Sequence, residues 1–184
     1  GLGSSDCASC HAEIAAQLRS GGFEPDTNPR GRPTSPRWVL RGVSGVTIDF
    51  LIPPVGDRAG GEIHNLEADF GAYVTPGLDL AFDDRRRLEL SGVTPMGERA
   101  TRAMYVCEAG AFVVLKALAL ANRGREKDAY DLDWILHAYP GGVDAVASRV
   151  RALRSCDAKA EALRVLARDF DHPDAVGPVR AARF

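Results

Sequence analysis

Apolar positions in Phe112–Leu120 recur at helical spacing, with Val114, Leu115, Leu118 and Leu120 surrounding a single cation, Lys116. The pattern breaks at Asn122-Arg123-Gly124, packs four charges into Arg125–Asp128, and resumes through Tyr130, Leu132 and Trp134. Two consecutive helices with a charged knot at their junction are expected. Further helices are expected at Cys10–Arg19, which stops at Gly21-Gly22, at Val143–Leu153 and at Ala158–Phe170, with another beginning at Gly177-Pro178. Strand alternation appears in Arg37–Arg41 and Val46–Ile52, which flank Gly42–Gly45 as a hairpin ended by Pro53-Pro54. Short strands are expected at Ile63–Leu66, Leu78–Phe82, Leu88–Leu90 and Arg102–Val106, whereas Phe23–Pro36, with four prolines, reads as loop.

The resulting order, strands with one early helix and then helices only, predicts an α+β fold. In it a small mixed or antiparallel sheet with an N-terminal helix precedes a C-terminal helical bundle. A length of 184 residues suits one domain, with a sheet-rich part over 1–106 and a helical part over 107–184. The net charge of −2 argues against a broadly basic nucleic-acid surface but leaves room for a local basic cleft. Ala109–Ala121 is the most apolar run; it is too short for a membrane span and carries Lys116, so no membrane partner is expected. No secretory signal is visible, which predicts a cytoplasmic protein with Cys7, Cys10, Cys107 and Cys156 reduced.

Three stretches carry candidate chemistry. Cys7-Ala8-Ser9-Cys10-His11 matches the c-type haem attachment signature, a remote alternative because that chemistry belongs to exported chains; a chance pair of thiols on a helix is the default. Asp49, inside VTIDFLI, is either a carboxylate meeting solvent at a strand end or a ligand for a hard cation. Lys116 and Arg123 fall near one helical face and could present two cations to a polyphosphate, with Asp128 and Asp131, three apart on the next helix, holding them in place. The plainer alternative is a snorkelling lysine followed by an acidic helix start.

LKALALANRGREKDAYDL resembles the K…R…(R/K)D-x-x-D segment of the AbiEii/AbiGii-type nucleotidyltransferase toxin family, within the polymerase-beta-like superfamily. VTIDFLIP resembles the strand that carries that superfamily's third metal-binding carboxylate. The resemblance implies a nucleotidyltransferase-like fold and Mg2+-dependent transfer of a nucleotide from an NTP to an RNA (a tRNA, for example) or protein acceptor. It also implies a possible antitoxin partner. By the same analogy Asp49 is a metal ligand or general base, Lys116 contacts the triphosphate, and Arg123, Lys127, Asp128 and Asp131 shape the pocket. The family's Asp-x-Asp strand has no clear counterpart, since Glu24-Pro25-Asp26 falls in a segment read as loop. That strand is therefore expected upstream of Gly1, which makes the chain inactive as it stands. A non-catalytic domain that binds nucleotide, RNA or an antitoxin is the alternative.

Overall fold

The computed structural model describes residues 4–27, 33–54, 56, 60–67, 70–94 and 97–184; the side chains of residues 4–9, 33–35 and 67 lie outside the description. The chain is mixed α+β and divides into two compact units, Gly1–Thr75 and Pro76–Phe184.

In the first unit, helix α1 (Ser4–Ser20) leads into strands β1 (Phe23–Thr27), β2 (Pro33–Leu40) and β3 (Thr47–Asp49), an antiparallel sheet in that order. The expected hairpin is present as β2 and β3. The expected loop over Phe23–Pro36 is corrected in two places, because β1 and the start of β2 lie within it. Pro25, paired with Trp38, is accommodated because β1 is the sheet's edge, where a missing N–H costs no ladder bond.

A second sheet has the order β4 (Leu51–Ile52), β6 (Phe70–Val74), β5 (Ile63–Glu67), with β4 parallel and β5 antiparallel to β6. The run Val46–Ile52, expected as one strand, thus divides between two sheets at Phe50. The Phe50 amide donates to Pro36 O (3.1 Å) while its carbonyl accepts from Tyr73 N (2.8 Å). The inner side of this unit gathers Ala15, Trp38 and Phe70, with the Phe50 and Phe70 rings edge-on at 4.7 Å.

In the second unit, Leu78–Phe82 is not the expected strand but part of a short helix, α2 (Leu78–Asp83). Its two leucines, Leu78 and Leu80, are buried, and its acidic residues lie outward. Helical spacing brings Asp79 and Asp83, four apart, to the same Arg154. A hairpin of β7 (Arg85–Val93) and β8 (Arg99–Cys107) follows, nine residues in unbroken register. The helices are α3 (Ala109–Arg123), α4 (Glu126–Ala138), α5 (Gly142–Ala152), α6 (Asp157–Asp169) and α7 (Val176–Ala181).

Helix α3 is the axis of this unit because it is apolar nearly all round. One side, with Ala111, Val114 and Ala117, packs with Leu80 of α2 and Ala162 and Val165 of α6. The other, with Ala109, Val113 and Leu120, packs with Ala129 and Leu132 of α4 and Val146 and Val150 of α5. Burying side chains of this size stabilises by roughly 1.5–3 kcal/mol each. Among the described residues no helix is long and apolar enough to cross a membrane.

Candidate functional site

The charged knot forms where α3 ends. Gly124 takes the left-handed conformation (φ 60°) that a side chain would oppose, and its N–H donates to Leu120 O, closing the helix. The chain then re-enters a helix after Arg125, with Glu126 and Asp128 in the first turn of α4, where the helix dipole favours anions. This reversal brings the last two turns of α3 against the first turns of α4.

The cations of α3 and the carboxylates of α4 meet there. The Arg123 guanidinium donates twice to Asp128, Nε to Oδ2 and Nη2 to Oδ1, both at 2.7 Å. Lys116 Nζ lies between the two acids, 3.2 Å from Asp128 Oδ1 and 2.5 Å from Asp131 Oδ2. Lys127, one turn before Asp131, donates to both of its oxygens at 2.8 and 3.0 Å. The five residues singled out by the sequence therefore form one network of three cations and two carboxylates.

Asp128 is its buried centre, 1% exposed, while Lys127 is 59% and Arg123 47% exposed. Beside the network Tyr130 and Trp134 stack at 6.2 Å, and Lys127 Nζ lies 5.7 Å from the Phe184 ring.

Burial alone would raise the Asp128 and Asp131 carboxyls. The hydrogen bonds from Arg123 and Lys116 outweigh it at Asp128, and those from Lys116 and Lys127 at Asp131, so both sit below the ordinary range. Carboxyls depressed in the folded state contribute stability that is present above their unfolded pKa, about 4, and lost as pH falls through the folded values. The melting temperature is therefore expected to drop below about pH 4, and Asp128→Asn to flatten that drop. An unchanged acid limb in Asp128→Asn would remove Asp128 from the acid response.

Asp49 belongs to the first unit. It stands opposite Arg37 in the β2–β3 register, and each of its oxygens accepts from that guanidinium: Oδ1 from Nε at 2.7 Å and Oδ2 from Nη2 at 2.9 Å. Arg37 is correspondingly pushed up, first by the Asp49 hydrogen bonds and charge, with Asp26 of β1 adding to it. Glu24, also on β1, takes up Arg41. A carboxylate already neutralised on both oxygens does not by itself fit a divalent ion. Among the described residues no group of three His, Cys, Asp or Glu side chains is placed to hold one.

The thiol motif lies inside α1, where Cys10 is exposed and the side chain of Cys7 falls outside the described residues. His11 has its ring 6.2 Å from Phe70. Cys107 is half-buried, and burial, with Asp84 and Glu108 nearby, pushes its thiol up, away from nucleophilic use.

One polar cluster was not anticipated. Glu108, buried just before α3, accepts from Arg86 and Arg149 at 2.9 Å each and from the Tyr139 hydroxyl at 3.1 Å. Asp84 accepts from Ala111 N at 3.1 Å, capping the same helix. An acid directly before a helix was the available signal; the arginines come from β7 and α5, which sequence spacing does not connect. Comparisons with protein families, with curated proteins and with solved structures find no match.

Proposed function

We propose that the α3–α4 corner binds the phosphate chain of a nucleotide, in a nucleotidyltransferase-like chain of the toxin type. The observation that carries this reading is the cation-rich network itself. Asp128 and Asp131 fix three cations with one positive charge in excess, and the most exposed of them, Lys127, lies over the Phe184 ring, which meets the Tyr130–Trp134 pair at Tyr130. Positioned cations with an aromatic surface alongside are what a phosphate chain and its base require. Lys116, held between the two acids, acts by setting that frame.

The function proposed is binding, carried by side chains alone, because Asp49 is already committed to Arg37. Transfer to an RNA or protein acceptor would need carboxylates beyond it, and the Mg2+ of the resemblance would need the same.

Calorimetric titration with each NTP and with tripolyphosphate tests this. Binding is expected for both ligand types, with Lys127→Ala weakening each by roughly tenfold, the effect of removing one well-placed cation. Absence of binding by any NTP and by tripolyphosphate would remove the reading. Labelled-nucleotide transfer that is lost in Asp49→Ala would replace it with a catalytic one.

A further inference from the structure

In the second unit the β7–β8 hairpin meets the helices at its base, where β8 touches α2 and Arg86 reaches Glu108, while most positions along both strands are exposed. Its strands pair with each other over nine residues without a bulge, and among the described residues no third strand joins either edge. Two-stranded ribbons are marginal in water, and a long flat edge offers a row of backbone donors and acceptors to any extended chain. The usual defences, proline or a bulge within the strands, are missing from both β7 and β8.

The side chains indicate what would lie there. On one face Leu88 stands across from Met104, and Leu90 across from Arg102; Leu90 is 50% and Met104 46% exposed. The other face carries Tyr105 with the Arg85 guanidinium 4.7 Å from its ring. The hairpin holds five arginines against two glutamates on a chain whose net charge is −2. A second copy of the ribbon would set arginine against arginine, which disfavours self-pairing.

We infer that the β7–β8 hairpin docks an extended, acidic segment of a partner protein, which adds as a third strand. Its backbone would continue the ladder, alternate apolar side chains would cover Leu90 and Met104, and its carboxylates, on the opposite face, would meet Arg99 and Arg87. A nucleic acid would satisfy the arginines but has nothing to place against the leucine–methionine strip or the ladder edge.

The test uses the full chain and a fluorescein-labelled peptide as long as β7, in which glutamate and valine alternate. Comparison probes are a lysine–valine peptide, a glutamate–valine peptide N-methylated at every amide, and a single-stranded oligonucleotide. The unmodified acidic peptide is expected to bind roughly tenfold or more tightly than each of the others, and Leu90→Ser and Arg99→Glu each to weaken it by roughly tenfold. Slowed amide exchange along one outer edge of the ribbon in the unsubstituted protein, with peptide bound, checks the same geometry without any variant. Equal or tighter binding of the oligonucleotide, equal binding of the N-methylated peptide, or no binding by the acidic peptide would each overturn the inference.

Discussion

Asp128→Ala is expected to lower the unfolding free energy by about 3 kcal/mol, the low end of what breaking a buried ion pair costs. The carboxylate is almost fully buried and receives two hydrogen bonds from Arg123 and one from Lys116. Its removal leaves the part-buried Lys116 ammonium with Asp131 alone and opens a gap between α3 and α4. The figure stays at the low end because Arg123 is half-exposed and regains hydration once released. Asp131→Ala provides the internal comparison. Its partners are Lys127, which is mostly exposed, and Lys116, which keeps Asp128, so the expected loss is nearer 1 kcal/mol.

Urea unfolding followed by far-UV circular dichroism measures both losses, and Asp128→Ala combined with Arg123→Ala separates the pair from its surroundings. If arginine left without its partner is the source of the penalty, the double variant is more stable than the sum of the singles predicts. A loss below about 1 kcal/mol in Asp128→Ala would place the network with ordinary surface pairs.

The α3–α4 corner was legible in the sequence because everything that makes it is local. Gly124 marks the break, Lys116 and Arg123 lie on the helix before it, and Asp128 and Asp131 lie on the helix after it. Helical spacing alone could bring those groups to one side. What it could not show was that Arg123 would close on Asp128, since that depends on how sharply the chain reverses at Arg125.

Asp49 illustrates the opposite case. Whether a strand carboxylate meets water, a metal or a cation is decided by the residue across the ladder. Arg37 becomes that neighbour only through the β2–β3 register. The strand β1 was missed because Pro25 reads as a breaker unless its strand is known to be an edge. For α2, LDLAF alternates as a strand would, and the distant Arg154 that favours the helix is invisible to local pattern. The broad class, α+β with helices concentrated in the second half, needed only element types and so was readable.

Gly110→Ala sets two physical effects of opposite sign against each other. Alanine is the better helix former by up to about 1 kcal/mol, so on propensity alone the change stabilises. Packing argues the reverse. A methyl group at Gly110 would lie 2.9 Å from the Arg149 carbonyl carbon and oxygen and 2.9 Å from Asp84 Oδ2. At Gly177 the nearest atoms, at 2.4–2.5 Å, belong to the Phe170 ring, a side chain with rotamers to move through. Beside Gly110 the obstacle is the backbone of α5, so relief requires α3 and α5 to separate as bodies.

That separation would loosen Val113 from Val146 and Val150 and strain the Asp84 hydrogen bond to Ala111 N. A net loss of about 2 kcal/mol is expected, overpacking of up to about 3 less the propensity gain. Because α3 also carries Lys116, the same displacement is expected to weaken NTP binding at the corner some nine ångströms along the helix, at about 1.5 Å per residue. Thermal and urea unfolding of Gly110→Ala beside Gly177→Ala decide the sign. A more stable Gly110→Ala protein would mean that α3 and α5 have room between them, and that the close approach is not what holds α3 in place.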